Sequence, residues 1–203
     1  MNRQELIDYI NSLPPLPYSP SNSWTWIDRR IQIREAILND NLNNIPHWPV
    51  IHSSMSTPYT LQYEHIGIWQ QYTGLDITTL NSIVEFGGGY GAMLKCLRKL
   101  GFKGNYYGYD FPELLAIQRY YTFEDFSQPA NGEYDLLISI CAISESSLFD
   151  RQVFLDGKRF KHILIRYQAT WDGIDNHKYF SSWKGDKMNV KGQSYNDHWY
   201  LIR

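Results

Sequence analysis

Apolar positions along the chain follow two rhythms, and the change comes near residue 80. Before it, apolar residues recur at helical spacing. That spacing predicts a short helix over 2–12, a second over 24–39 with Trp26, Ile27, Ile31, Ala36 and Leu38 partly on one side, and a third over 59–72. Pro14, Pro15, Pro17 and Pro20 exclude regular structure between the first two, which predicts an extended strap. Residues 41–58 read as a loop carrying His47, Trp48 and His52.

After residue 80, short apolar runs alternate with amphipathic stretches. Strands are predicted over 82–86, 105–109, 134–140, 162–167 and 198–202. Helices are predicted over 92–100, from Pro112 through Tyr121, and over 148–155. Residues 122–132 read as loop with a vestigial strand. Such repeated strand–helix units predict an α/β fold with a mostly parallel sheet and helices on both faces. The expected organisation is a helical cap or lid over 1–78, including the strap, on a core over 79–203, forming one compact domain. A ligand belongs at the carboxyl ends of the strands, near the switch in strand order.

Composition changes this picture little. A chain of 203 residues suffices for one full core. Nineteen basic against 21 acidic residues, a net charge of −2, provide no general attraction to nucleic acid or anionic lipid. No apolar run is long enough to span a bilayer, and the N-terminus lacks the apolar centre of a signal peptide. Cys96 and Cys141 lie in apolar segments and read as reduced core residues of a cytoplasmic protein. The many aromatic residues read as core and rim packing, with a stacking surface for sugars or bases as the alternative.

The candidate chemistry centres on 82–97, SIVEFGGGYGAMLKCL. A strand turns through Gly87, Gly88, Gly89 and Gly91 straight into a helix. That brings backbone and a helix N-terminus up to a ligand, and Gly87 and Gly89 are expected to permit its close approach. Glu85, at the strand end, is placed to reach a cationic amino-acid moiety. Asp110, ending the next strand, can accept ribose hydroxyls, and Phe111 can lie against an adenine. Asp125, or Glu124, with Phe126 would hold the adenine amino group, and Ser139 would floor the site. The implied cofactor is S-adenosyl-L-methionine (SAM). Gly87, Gly89 and Ala92 also satisfy G-x-G-x-x-G/A, so spacing alone leaves NAD open, and a purely structural tight turn is a further alternative.

With these residues in view, the chain resembles a known family. Ile83-Val-Glu-Phe-Gly-Gly-Gly-Tyr-Gly, Tyr109-Asp-Phe-Pro-Glu-Leu with Gln118 and Tyr121, and Tyr134-Asp-Leu-Leu-Ile-Ser with Ala142-Ile-Ser-Glu145 are similar to the sugar O-methyltransferases of bacterial and phage genomes. The resemblance covers about 80–150. It implies a Rossmann-like class I methyltransferase fold, SAM as methyl donor, and a small-molecule acceptor, a sugar hydroxyl above others. Methylation of another small molecule or of a nucleic acid end, and SAM binding without transfer, are the alternatives.

Transfer to oxygen needs in-line positioning, and a base helps a poor nucleophile. Glu145 is the first candidate base, with helix capping as its competing role. His177 is second and His52 third, while His162 and His198 read as structural. Asp172, Asp175 and Asn176 offer oxygen ligands for a divalent cation but are better read as a polar turn, so no metal is expected. Trp24, Trp26, Trp48 and Tyr59 are placed to stack on an acceptor or to anchor the lid. No Asn/Asp-Pro-Pro-Tyr/Phe, Walker loop or zinc cluster is present in the sequence.

Overall fold

A computed structural model describes residues 1–16, 26–39, 58–189 and 198–203, with the side chains of 26–29 and 58–60 outside that set. Pro17, Pro20, Trp24, His47, Trp48 and His52, and the rings of Trp26 and Tyr59, therefore lie outside the described residues. Three helices come first: α1 (Arg3–Ser12), α2 (Trp26–Leu38) and α3 (Pro58–Thr73). Then follow β1 (Ser82–Phe86), α4 (Ala92–Leu100), β2 (Asn105–Tyr109), α5 (Pro112–Thr122), β3 (Gly132–Ile140), α6 (Leu148–Leu155) and β4 (Lys158–Gln168). The remainder is a small hairpin of β5 (Thr170–Trp171) and β6 (Ile174–Asp175), then α7 (Asn176–Ser181), β7 (Asp186–Asn189) and β8 (His198–Ile202).

The main sheet has the order β2-β1-β3-β4-β8-β7. β2, β1, β3 and β4 are parallel, and β8 runs antiparallel to both β4 and β7. The vestigial strand expected after α5 is a single parallel bridge, Tyr107 to Ser127. Alternate strand residues face opposite sides. Ile83, Leu136, Leu164 and Ile202 pack with Trp69 of α3 and with Leu94 and Leu97 of α4. Val84, Leu137, Ile163 and Leu201 pack with Phe154 of α6 and Phe180 of α7. Each such fully buried side chain contributes roughly 1.5–3 kcal/mol by leaving water. The sheet is thus covered on both faces, as the alternating pattern predicts. No helix among the described residues is long and apolar enough to cross a membrane.

A third apolar cluster joins α1 and α2 to α5. Leu6, Ile10, Ile33 and Ile37 meet Leu114 and Ile117. Asn2 starts α1 with a capping box, its side chain accepting the Glu5 N–H while Glu5 accepts the Asn2 N–H. At the edge of this cluster Glu113, fully buried in the first turn of α5, accepts from Arg30 Nε at 2.8 Å and Arg34 Nε at 2.7 Å. Burial pushes its carboxyl up, but the bonds from Arg30 and Arg34 outweigh that and leave it below the usual carboxylate range.

Candidate functional site

Strand order reverses between β1 and β3, since β1 has β2 on one side and β3 on the other. The turns after β1, β2 and β3 leave the same edge of the sheet there, which is where parallel α/β sheets place ligands. The glycine turn carries distinct tasks. Gly87 has φ +78°, and a Cβ on it would overlap the Cβ of Ala142. Its bareness therefore serves contact with the turn after β3. Gly89 has φ +56° and nothing within 4 Å of a notional Cβ, so this glycine alone of the two borders open space. Gly91, also left-handed, begins α4 and has no side chain with which to cap the first N–H groups of that helix.

Two carboxylates face this turn. Glu85 is 4% exposed and accepts a short hydrogen bond from the Tyr106 hydroxyl. Burial pushes its carboxyl up to about 7; the Tyr106 bond partly opposes this, and the negative charge of Asp110 adds to it. Among the described residues no salt bridge reaches Glu85. Asp110 turns back toward the loop: Oδ2 accepts from Gly89 N–H at 3.1 Å and Gln118 Nε2 at 3.3 Å, and Oδ1 accepts the Phe111 N–H at 2.8 Å. Two acids over a bare backbone turn suit a ligand that brings both a cation and hydroxyl donors.

The remaining residues expected around an adenosine are placed otherwise. The Phe111 ring lies under the Arg30 guanidinium, 4.8 Å from its carbon, and packs against the apolar cluster of α1, α2 and α5. The Asp125 side chain is 95% exposed and pairs with Arg119 at 3.4 Å. Phe126 is a core residue, edge-on to Tyr106 at 5.1 Å, and Glu124 pairs with Arg98 at 2.9 Å. The cause is the shortness of the strand after α5. With one bridge only, the chain turns Phe126 inward at once and leaves Asp125 outward. Ser139 is fully buried and stitches backbone: its hydroxyl donates to Phe86 C=O and accepts the Ile143 N–H, both at 3.0 Å. It supports the site from behind.

On the acceptor side, Glu145 ends a 3-10 turn, Ala142–Glu145, that follows β3. It is 7% exposed, and its Oε1 accepts from Gln168 Nε2 at 2.9 Å. Cys141 opens this turn in a left-handed conformation, φ +67°, rare for a side-chain-bearing residue and common where function shapes backbone. Its Sγ lies 3.9 Å from His198 Nδ1. Burial raises this thiol to about 12, with Arg166 opposing and Glu145 reinforcing the rise, so it is no thiolate nucleophile at neutral pH. His177, on α7, meets the Tyr167 hydroxyl through Nδ1 at 3.1 Å and lies edge-on to Trp199. Its neighbour Asn176 donates to Ser144 C=O at 3.2 Å, which seats the start of α7 beside the Glu145 turn. Asp172 sits in the tight β5–β6 turn at φ +45°, and Asp175 caps α7 by accepting the Lys178 N–H. Among the described residues no group of three His, Cys, Asp or Glu is arranged to hold a metal.

The sequence reads Cys141 as a core residue and His198 as structural, and has Glu113 only within the family-like run; the contact of Cys141 with His198 and those of Glu113 with Arg30 and Arg34 come from tertiary placement. Gln118, noted earlier only within the family-like run, proves to be the side chain beneath the glycine turn.

No family model and no curated protein matches the chain. Among solved structures, human N-acetylserotonin methyltransferase in complex with SAM is similar at 15% identity and a TM-score of 0.51, over 98% of this chain and 65% of that one. Magnesium protoporphyrin IX methyltransferase from Synechocystis, with bound SAM, aligns at 12% identity and a TM-score of 0.49, over 90% of this chain and 98% of that one. At such identities the likeness concerns architecture, and it establishes that this chain has the Rossmann-like α/β fold of class I methyltransferases.

Proposed function

We propose that the chain is a SAM-dependent methyltransferase acting on a small-molecule acceptor, with an oxygen, that of a sugar hydroxyl, as the methylated atom. The observation that carries the reading is the convergence of Glu85, Asp110 and the open side of Gly89 at the reversal in strand order. In this reading the methionyl ammonium neutralises the buried Glu85, the ribose hydroxyls bond to Asp110, and the backbone at Gly89 passes close to the ligand. Bound SAM supplies an electrophilic methyl group. The chain's own part is to orient donor and acceptor and to remove a proton from the acceptor hydroxyl. Positioning supplies most of the acceleration, and a base adds roughly 10²–10⁴.

Glu145 is the preferred base. It is sequestered yet stands at the turn bordering the crevice, with Gln168 fixing one carboxylate oxygen. His177 is second; its Nδ1 is taken by Tyr167, so Nε2 would have to serve. Residues 1–78 act in this reading as the cap over the crevice.

Isothermal titration with SAM, S-adenosylhomocysteine and NAD tests the cofactor. The two adenosyl compounds should bind and NAD should not; the reverse pattern discards the proposal. A panel of glycans, other hydroxylated small molecules and nucleotides then tests transfer. Glu145→Gln should lower turnover about 100-fold with little change in SAM affinity. SAM binding with no transfer to any acceptor would leave a cofactor-binding protein instead.

A further inference from the structure

Gln118 is fully buried on α5, and its amide orientation follows from chemistry. Asp110 Oδ2 only accepts when ionised, so the Gln118 nitrogen must be the atom that faces it, at 3.3 Å. The amide oxygen is thereby turned the other way, and it has no hydrogen-bond partner. A buried acceptor without a donor is costly, on the order of 1–3 kcal/mol, and such groups in native folds call for an explanation.

Gly88 lies against both groups. A Cβ on Gly88 would stand 2.9 Å from each of the Gln118 amide atoms, Oε1 and Nε2, and 2.9 Å from Glu85 Oε2. The amide that carries the orphan acceptor and the buried carboxylate thus flank the bare backbone of the glycine turn together. Tyr106, the described partner of Glu85, supplies a single neutral donor to it. Between them, Glu85 and Gln118 retain acceptor capacity that only a group with several N–H donors can fill together. A hydroxyl has one proton to give. A planar guanidinium is too broad for a spot this close to backbone. A primary ammonium is compact, carries three donors, and brings a positive charge to the buried Glu85.

We propose that Gln118 is a specificity-determining residue that, together with Glu85, recognises the primary ammonium at the amino-acid end of the ligand. This rests on the SAM reading above and extends it: the chain distinguishes adenosyl amino acids from plain adenosyl thioethers by an amide on α5, outside the glycine turn itself. Asp110 is the coupling element. It orients the Gln118 amide through Nε2 and holds the Gly89 N–H, so the part of the site that faces ribose also aims the part that faces the ammonium.

The test compares ligands that differ only at that end. Wild-type protein and Gln118→Met, which keeps the length and removes the acceptor, are titrated with S-adenosylhomocysteine, with its decarboxylated analogue, which keeps the ammonium, and with 5′-methylthioadenosine, which lacks it. The variant should bind the first two roughly 10-fold to 100-fold more weakly and the third with a distinctly smaller loss, that of the Gln118 bond to Asp110. Unaltered affinity for S-adenosylhomocysteine, or an equal loss for methylthioadenosine, overturns the assignment while leaving the cofactor reading intact. If the wild type binds neither S-adenosylhomocysteine nor SAM, that reading fails and the inference with it. Gln118→Asn, a milder change that withdraws the amide by one methylene, should reproduce the same selectivity with a smaller loss. It decides the matter if the methionine variant does not fold.

Discussion

Glu113 and Glu85 are both buried glutamates near the same end of the sheet, and they have opposite fates. Glu113 is clasped by Arg30 and Arg34 and titrates below the usual carboxylate range. Glu85 has a tyrosine hydroxyl for company and a second acid nearby, and it titrates near 7. The same side chain at similar burial is thus a finished joint in one place and an unfinished one in the other. The contact of α2 with α5 is internally neutralised, as a structural contact should be. Around Glu85 the described residues supply a hydroxyl and a second acid but no salt bridge, and carboxyls perturbed in this way gather at functional sites.

The largest effect expected from separating the two regions comes from Gly89→Val. It forces a β-branched residue into a left-handed backbone and fills the open side of the turn. SAM binding should vanish in calorimetry while the circular dichroism spectrum and the α1–α2 contacts persist; normal SAM affinity would remove the argument from close backbone approach. Next, Arg30→Ala with Arg34→Ala should strand Glu113 as an uncompensated buried charge, destabilising the cap by about 3–5 kcal/mol. Faster amide hydrogen exchange in α1 and α2 would record it, and unchanged exchange would mean the joint is not what holds the cap.

Glu85→Gln should behave in the opposite way. The ligand-free protein should keep or gain stability at pH 8, because no cation is left behind, while SAM affinity falls about tenfold or more. A marked loss of ligand-free stability at pH 8 would put Glu85 in the same class as Glu113. The smallest effect is in pH. Glu85 holds its proton in the folded state up to about 7 but releases it near the ordinary value of 4.5 when unfolded. The folded state therefore binds more protons in that window, and stability without ligand declines as pH rises from about 4.5 to 7. SAM affinity should climb over the upper part of that window and level off above it, because the ammonium prefers the ionised carboxylate. Glu113 contributes with the other sign: its stabilisation is present above the ordinary carboxylate value and is lost as pH falls through its depressed folded value. Melting curves and titrations across pH 4–8 would separate the two, and a flat SAM affinity would sever Glu85 from ligand binding.

Much of the fold was legible because strong signals coincide with real elements. β1, β2, β8 and α6 fall on the predicted bounds, since apolar runs of strand length are punctuated by Gly101, Gly104, Pro112 and Ser147. β7, with the sequence Asp-Lys-Met-Asn, has no apolar alternation to announce it and forms because β8 offers an edge. The β5–β6 hairpin was visible only as a polar turn. At the site, Glu85, Gly89 and Asp110 lie together because strand ends and turns are local features that sequence spacing records. Phe126 and Asp125 were expected beside the adenine after a vestigial strand; the single bridge formed there leaves Phe126 in the core and Asp125 exposed beside Arg119. Gln118 and Glu113 face their partners only through the packing of α5, which no local pattern encodes.

The fit of Gly87 against Ala142 has a consequence for descent. Position 87 has no room for a side chain while the Ala142 methyl group stays where it is. A lineage that acquires a side chain at 87 must first, or simultaneously, pull the later turn away. Inheritance should therefore preserve these two sites as a linked pair, even where the residues between them drift.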